Sequence, residues 1–206
     1  MSFRLEKKIL FQKNNLYLFN NWKKKNNVKK IYETRLINSI YFDNLNYDIM
    51  TDSLEGVVPR HKLRIRSYPN SANKKFYLEK KISSVEGRYK ISKITHNSIN
   101  IIKLGMQDKK YGKILPTNEV TYSRSYFLYK NFRLTLDYDI FYKKFGSSNL
   151  SIRDNLFILE LKSNDMECDF EKIDFNFNYS TTRFSKYCRS FNFLKYGYQK
   201  AKYEIF

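Results

Sequence analysis

The chain has 206 residues, which suits one domain large enough to bury a core, and 17% of them are aromatic, which argues against a disordered chain. Its 39 Lys and Arg outnumber its 20 Asp and Glu, so the net charge is +19. This balance favours an anionic partner: nucleic acid, a membrane surface or a phosphate compound. An AT-rich genome would also enrich lysine, so only ordered rows of cations support a function.

Cysteine usage and hydropathy indicate where the chain works. Only Cys168 and Cys188 occur and they form no CxxC pair, which fits a reducing compartment and excludes a disulfide scaffold or a cysteine-based zinc site. No apolar run approaches the ~20 residues of a membrane span, and the N-terminal MSFRLEKKIL lacks the apolar core of a signal peptide. We therefore expect a cytoplasmic protein without a membrane segment.

The elements predicted along the chain are mostly strands. The first part predicts the strand FRLEKKIL, a helix at about 13–30, the strand RLINSIYFD and a helix at 46–53. Three strands follow, HKLRIRSY, KFYLEKKI and GRYKISKI, with the turn signals YPNSANK and SSVEG between them. After a helix at 96–104 come the strands NEVTYSRSYFLY, FRLTLDYDI and NLFILELK, and the last helix follows Phe184. About eight long strands with short connections predict an antiparallel barrel or sandwich, because closure removes exposed strand edges.

The strand HKLRIRSY carries a row of cations on one face. Lys62, Arg64 and Arg66 alternate with Leu63 and Ile65, which is the pattern of a strand with one apolar face. Ionisable side chains occupy one face of several further predicted strands. The ordinary explanation is the solvent side of a sheet that packs on helices. Two features weigh against it: arginine is used where a generic surface of this chain would have lysine, and the few carboxylates lie within the cationic rows.

A barrel lumen lined by these faces would need an anion inside it. Two like charges ~4 Å apart repel by about 4 kcal/mol at an effective dielectric near 20, so facing cations are tolerable only with water and a polyanion between them. Arginine forks would bind phosphate through paired hydrogen bonds. The cationic rows therefore predict a phosphate site if they face inward.

Eight motifs come in the order and rough spacing of a known family. They are LEKK, SIYFDN, LEG with HKLRIRSY, FYLEKK, YSRSYF, RLTLDYDI, FILELK and RFSKYC. With these motifs the chain resembles the VTC domain, the polyphosphate polymerase domain of the vacuolar transporter chaperone family, within the triphosphate tunnel metalloenzyme (CYTH-like) superfamily. The resemblance runs from about residue 3 to residue 194, and residues 96–118 contribute little to it.

The resemblance implies an α+β, mainly β fold. A single domain over residues 1–206 would close about eight strands into an antiparallel tunnel with a basic lumen and a few flanking helices. It also implies an enzyme that transfers the γ-phosphate of a nucleoside triphosphate, ATP foremost, to a growing polyphosphate chain with a divalent metal, Mn²⁺ or Mg²⁺. The partners would then be a nucleoside triphosphate and polyphosphate, with no nucleic acid expected. Whether a membrane partner exports the product stays open.

Site residues follow from the resemblance position by position. The residues assigned to phosphoryl transfer are Lys62, Arg64, Arg124, Ser185 and Lys186. Those assigned to phosphate binding are Lys8, Arg66, Lys81, Lys90, Arg133 and Lys162. Glu160 matches the metal-binding glutamate, and Glu6 is a candidate helper. For two other candidate helpers, Glu79 and Asp137, pairing with neighbouring Lys and Arg is the stronger expectation.

Three segments need comment beside the family pattern. The family's fifth strand offers a lysine and an arginine two apart, whereas Lys90 and Lys93 of YKISK lie on opposite faces, and we choose Lys90 for the lumen. The segment DFEKIDFNFNYSTTR before FSKYC lacks the proline-containing helix that the family leads us to expect. Without the resemblance, Ser185 and Lys186 would be interpreted as a helix cap and its neighbour.

Two other functions stay open. A tunnel phosphohydrolase, which cleaves inorganic triphosphate or a nucleoside triphosphate, usually has an ExExK motif on its first strand. The corresponding RLEKK has one glutamate, so the metal would be held less firmly, which favours the polymerase. A non-catalytic polyphosphate- or RNA-binding protein would also suit the net charge, but the aromatic residues are spread through apolar faces and loops rather than grouped beside the cations.

Other enzyme classes lack their motifs. The chain has no GxxxxGK[ST] loop, which argues against a P-loop nucleotide enzyme. His61 and His96 are isolated, and no histidine pair has metal-ligand spacing, which argues against zinc hydrolysis.

Overall fold

The structure is a computed structural model that describes residues 5–148, 151–163, 170, 173–181 and 184–201. These residues form a mainly β, α+β fold. The strands are β1 Leu5–Gln12, β2 Lys29–Asp43, β3 Arg60–Ser67, β4 Phe76–Ser84, β5 Gly87–Thr95, β6 Met106–Asp108, β7 Gly112–Tyr129, β8 Phe132–Lys144, β9 Ile152–Asp154, β10 Leu156–Ser163 and β11 Ser180–Thr181. The helices are α1 Leu16–Lys25, α2 Asp48–Glu55, α3 Ser98–Leu104 and α4 Lys186–Ala201, and a 3-10 turn, Lys13–Asn15, precedes α1.

All eight predicted strands are present, and the mainly β prediction is confirmed. The starts of β2 and β7 each lie six residues earlier than predicted, and before β2 the predicted helix continues to residue 30. The helix ends at Lys25 because Asn27 adopts a left-handed backbone conformation (φ 52°), and the Val28 amide closes the last turn onto the carbonyl of Lys23. Asparagine tolerates that conformation better than most residues. Strand β2 therefore starts at Lys29, not at residue 35.

Most strands join in one hydrogen-bonded path, in the order β11-β1-β10-β8-β7-β2-β3-β4-β5, with β6 paired to β7 and β9 paired to β8. The recorded registers are antiparallel. Among the residues that the structure describes, no pairing joins the two ends of this path. Closure into a barrel therefore stays a prediction.

The chain divides into two compact units. The first comprises Met1–Leu36, Tyr122–Ile140 and Asp154–Phe184. Its core packs α1 against the apolar faces of β1, β7, β8 and β10, with Phe19 fully buried and Trp22 contacting Phe175 and Tyr129. Burying a large aromatic ring contributes roughly 1.5–3 kcal/mol. This core fixes the apolar faces of the four strands, and their alternate residues carry the charged groups.

The second unit comprises Ile37–Thr121, Phe141–Arg153 and Ser185–Phe206. Helix α4 packs on its sheet through Tyr187, which stacks on Tyr41 with ring centroids 5.1 Å apart, and through Phe193, which contacts Tyr142. The carboxylate of Asp43 accepts hydrogen bonds from the amides of Ile49 and Met50, so it caps the first turn of α2.

Within the described part of the chain, no helix combines the length and the hydropathy that a membrane crossing requires.

Candidate active site

The first unit holds a group of charged side chains on β1, β7, β8 and β10, which we call the Glu160 cluster: Glu6, Lys8, Arg124, Asp137, Glu160 and Lys162. The register places Lys8 opposite Glu160 and Glu6 opposite Lys162. Lys8 Nζ lies 3.3 Å from Glu6, and Lys162 Nζ lies 3.4 Å from Glu160 and 3.8 Å from Glu6. Antiparallel pairing thus places each glutamate of β1 and β10 opposite a lysine of the other strand.

Glu160 is buried and stays ionised because of its neighbours. Burial alone would raise the pKa of this carboxyl, but a hydrogen bond with Glu6 and the charges of Lys162, Arg124 and Lys8 hold the pKa well below its usual range. Thr135 donates a further hydrogen bond to Glu160 at 3.4 Å. The protein therefore stabilises a negative charge at a buried position, as a metal ligand requires.

Arg124 is fixed by a two-point contact with Asp137. Its Nε and Nη2 donate to the two carboxylate oxygens at 2.5 and 2.7 Å, and Nη2 lies 3.8 Å from Glu160. Asp137 is 1% exposed. A bidentate pair of this kind holds the planar guanidinium in one orientation. The expected pairing of Asp137 with a neighbouring arginine is therefore observed.

The second unit holds the Glu79 cluster on β3, β4 and β5: Lys62, Arg64, Arg66, Glu79, Lys81 and Lys90. Its rows run across the strands. Lys62 lies opposite Lys81, which lies opposite Lys90, so three lysines stand side by side. In the next row Arg64 lies opposite Glu79, which lies opposite Ser92.

Glu79 is the acidic centre of this cluster. Arg64 Nε donates to it at 2.8 Å, Lys90 Nζ at 2.9 Å, and Arg66 Nη1 lies 3.7 Å away. Burial alone would raise the pKa of Glu79, but Arg64, Arg66 and Lys90 lower it from an ordinary 4.5 to about 2. The carboxylate is thus ionised throughout the physiological range, and its pairing with cations agrees with the expectation from the sequence.

Two side chains of the second unit support the cations of β3 from outside the cluster. Tyr41 of β2 accepts a hydrogen bond from Arg64 Nη1 at 2.9 Å, and the guanidinium lies over its ring. Ser185, at the start of α4, accepts from Lys62 Nζ at 2.8 Å and from the Cys188 amide at 3.4 Å. Ser185 is therefore both a helix cap and a partner of a candidate phosphate-binding lysine.

The remaining predicted residues have these positions. Lys186 is the first residue of α4 and is half-buried. Arg133 is exposed on β8 opposite Lys162, and its guanidinium lies 5.7 Å from the centre of the Tyr126 ring. The segment in which the family pattern has a proline-containing helix is described at residues 170 and 173–181, and residues 173–181 form irregular chain that ends in β11.

Sequence reasoning missed two residues that share these faces. Arg88 lies two residues before Lys90 on β5, opposite Ser83, so it belongs to the same face as the three-lysine row. The spacing of Arg88 and Lys90 was visible in GRYK. Tyr41 lies within the motif SIYFD, but no local pattern indicates that its hydroxyl meets Arg64.

The metal that the family implies needs oxygen ligands. Lys162 Nζ lies 3.8 Å from Glu6 and 3.4 Å from Glu160, so the two carboxyl groups lie close together. Mg²⁺ and Mn²⁺ prefer such oxygens, and one or two carboxylates suffice where phosphate and water complete the coordination shell. Over the described residues, no group of three or more His, Cys, Asp or Glu side chains comes together. The two glutamates fit a metal that is held jointly with its phosphate ligand.

Solved structures resemble this fold. A candidate adenylate cyclase from Bacillus halodurans matches with a TM-score of 0.56 and 17% identity, over 81% of this chain and 84% of that chain. A candidate adenylyl cyclase from Hippeastrum, described as having a dominant triphosphatase activity, matches with a TM-score of 0.52 and 15% identity, over 80% and 81%. At these identities the likeness concerns the fold alone.

Sequence comparison identifies the family. A search of curated proteins gives no match. The family model of the VTC domain matches residues 3–111 and 97–195, which together span nearly the whole chain. Most of the motifs that predicted this relationship lie on the strands that carry the Glu160 and Glu79 clusters; SIYFDN lies at the end of β2, LEG at the end of α2 and RFSKYC at the start of α4. The chain belongs to the VTC domain family.

Proposed function

We propose that this protein is a polyphosphate polymerase that transfers the γ-phosphate of a nucleoside triphosphate, ATP foremost, to a growing polyphosphate chain in a basic tunnel. Phosphoryl transfer asks little covalent chemistry of the protein and much charge neutralisation and alignment. In this proposal lysine and arginine side chains bind the phosphate oxygens. Ser185 and Lys186 are assigned to the transferred group.

The row of Lys62, Lys81 and Lys90 carries the proposal. Like charges directly opposite each other in a sheet are destabilising, by roughly 0.2–1 kcal/mol for each pair. Glu79 pairs with Lys90, but it is also shared by Arg64 and Arg66, so positive charge exceeds negative charge around the row. An anionic ligand with closely spaced charges removes this repulsion, and a polyphosphate chain has one charge or more at every phosphate.

A second observation favours the polymerase over a tunnel phosphohydrolase. Of the RLEKK segment, Glu6 contributes the only carboxylate, and Lys8 Nζ lies 3.3 Å from it. Glu6 and Glu160 would hold a divalent metal, which would neutralise phosphate charge when bound. The lysine beside Glu6 also binds phosphate, so this side of the site is better suited to hold a phosphate chain than to activate water.

The test is incubation of the purified protein with ATP and Mn²⁺, followed by electrophoresis on a polyphosphate gel. We expect a ladder of chains from the wild type and none from Arg64→Ala or Glu160→Gln. Two matched controls should keep the ladder: Lys25→Ala, at an exposed position, and Glu33→Gln, whose side chain is 90% exposed.

Each alternative gives a different product. Free phosphate without a ladder would identify a triphosphate hydrolase. No turnover, together with tight binding of polyphosphate, would identify a protein that holds its ligand without changing it. Loss of the ladder in the control variants would mean that the assay reports folding, not the site.

A further inference from the structure

A group of two arginines and two tyrosines, of which only Tyr126 is buried, lies at one end of the charged face in the first unit. Arg35 and Arg133 both place their guanidinium groups over the ring of Tyr126, at 5.5 and 5.7 Å from its centre. Arg35 also lies over Tyr32, at 5.6 Å, and the two tyrosine rings meet edge to face at 5.7 Å. We call these four residues the Tyr32 group.

The members differ in exposure, and that difference indicates a ligand-binding surface. Tyr126 is 5% exposed and forms the floor, whereas Tyr32 is 52% exposed, and Arg35 and Arg133 are exposed as well. A tyrosine ring that is held on one side by an arginine and open on the other offers a flat stacking surface. Aromatic rings and guanidinium planes are the two surfaces on which proteins stack nucleobases.

The position of the group joins this surface to the candidate triphosphate site. Tyr126 is two residues from Arg124 on β7, so both side chains lie on one face of the strand. Arg133 is two residues from Thr135, which donates to Glu160. The row thus passes from a carboxylate pair, through arginines and the buried ring of Tyr126, to the exposed ring of Tyr32. A nucleoside triphosphate has the complementary order: phosphates at one end and a flat base at the other.

We infer that the Tyr32 group binds the base of the nucleoside triphosphate, with the base stacked on Tyr32 and Arg35 and the phosphates directed towards Arg124. This inference rests on the proposed function, because it takes a nucleoside triphosphate as the substrate. It adds a base-binding site to the phosphate-binding residues. Stacking does not depend on hydrogen-bonding edges, so ATP and GTP bind this surface with similar affinity.

The experiment compares the affinities for ATP and for inorganic tripolyphosphate by calorimetry, because the two ligands differ by the nucleoside. In Tyr32→Ala, we expect the dissociation constant of ATP to rise roughly 5- to 100-fold, while that of tripolyphosphate changes less than about twofold. Arg35→Lys keeps the positive charge but lacks the planar guanidinium group, so it should also weaken the binding of ATP and not that of tripolyphosphate. Tyr32→Phe keeps the ring and should bind ATP like the wild type.

Tyr17 provides the matched control, since it is a tyrosine of the first unit that is 70% exposed and lies outside the group. Tyr17→Ala should leave both affinities unchanged. Equal losses of ATP and tripolyphosphate affinity in Tyr32→Ala, or no loss of either, would overturn the inference. Binding of neither ligand by the wild type would overturn the triphosphate substrate as well. Selective loss of ATP affinity in a protein that makes no polyphosphate would support the base site and reject the polymerase.

Discussion

Arg64 and Glu79 face each other across β3 and β4, and two nitrogens of the guanidinium lie 2.7 and 2.8 Å from one carboxylate oxygen. Arg66 and Lys90 approach the same carboxylate. Glu79 is 4% exposed, so it is a buried anion that holds three cations in place. A phosphate ligand would meet cations that are already oriented, which lowers the conformational cost of binding.

Replacement of this anion should destabilise the fold. Glu79→Gln leaves Arg64, Arg66 and Lys90 close together without a counter-charge, and removal of one partner from a buried ion pair costs roughly 3–5 kcal/mol. We expect a loss in this range in urea unfolding. The exposed Glu33→Gln should change stability by less than about 0.5 kcal/mol. Tripolyphosphate should restore more stability to Glu79→Gln than to the wild type, because its oxygens replace the carboxylate.

The ionised carboxylate of Glu79 also predicts that the free energy of unfolding decreases at acidic pH. Its pKa is about 2 in the folded protein against an ordinary 4.5, so the unfolded chain binds the proton first as the pH falls. The stabilisation is complete above pH 4.5 and is lost as the pH falls towards 2. It amounts to roughly 3 kcal/mol for this shift.

Urea unfolding of wild type and Glu79→Gln between pH 6 and pH 2.5 would test this prediction, with the pH range set by the two pKa values. The difference in unfolding free energy between the two proteins should shrink with falling pH. A constant difference would contradict the assignment of the ionised carboxylate as the stabilising group.

The alternating pattern of the strands made much of the Glu79 cluster predictable. Alternation in HKLRIRSY placed Lys62, Arg64 and Arg66 on one face, because side chains alternate along any strand. It could not give the partner strand, since register depends on contacts between distant segments. The row of Lys62 with Lys81 and Lys90 therefore appears only once the strands are paired.

Other features of the fold could not be predicted from the sequence, for different physical reasons. Strands β6, β9 and β11 have three residues or fewer, which is too short for a period of two to be visible. The role of Tyr41 depends on the docking of α4, because its ring stacks on Tyr187. Tyr187 in turn donates a hydrogen bond to Asp43 at 2.5 Å, 144 residues earlier in the chain.

Tyr41 is expected to act as a positioning residue for Arg64. Tyr41→Phe removes the hydroxyl that accepts from Arg64 Nη1 but keeps the ring that stacks on Tyr187. Because hydrogen bonds to charged groups contribute roughly 1.5–3 kcal/mol, we expect tripolyphosphate affinity to fall by about tenfold. The circular dichroism spectrum, which reports the fold, should change little. Tyr17→Phe is the matched control, and equal affinities of Tyr41→Phe and wild type would remove this role.

His61 predicts a second pH dependence, near neutrality. Its imidazole is buried against Asp108, with Nε2 2.8 Å from the carboxylate, and Lys80 also approaches that carboxylate. Burial lowers the pKa of His61, although Asp108 opposes this effect. The unfolded chain therefore takes up the proton at higher pH than the folded one, and stability should decrease as the pH falls below about 6.5. The melting temperature of His61→Gln should lack this component between pH 7.5 and pH 5.5.

Glu160 provides the sharpest test of the metal, because its charge should have opposite effects with and without Mn²⁺. Without metal, Glu160 repels phosphate and neutralises Lys162 and Arg124, which lie 3.4 and 3.8 Å away. Glu160→Gln removes that repulsion, so tripolyphosphate should bind several-fold more tightly in the presence of a chelator. With Mn²⁺ the wild type should gain affinity and the variant should not, because a neutral amide is a poorer ligand for the ion.

Calorimetric titration of both proteins with tripolyphosphate, once with a chelator and once with Mn²⁺, separates these effects. Glu33→Gln removes a carboxylate whose side chain is 90% exposed and controls for the change in net charge. If Mn²⁺ strengthened binding equally in wild type and Glu160→Gln, the metal would be held by the phosphate ligand or by other side chains. The charge of Glu160 would then serve to orient Arg124 and Lys162, and its loss should weaken binding under both conditions.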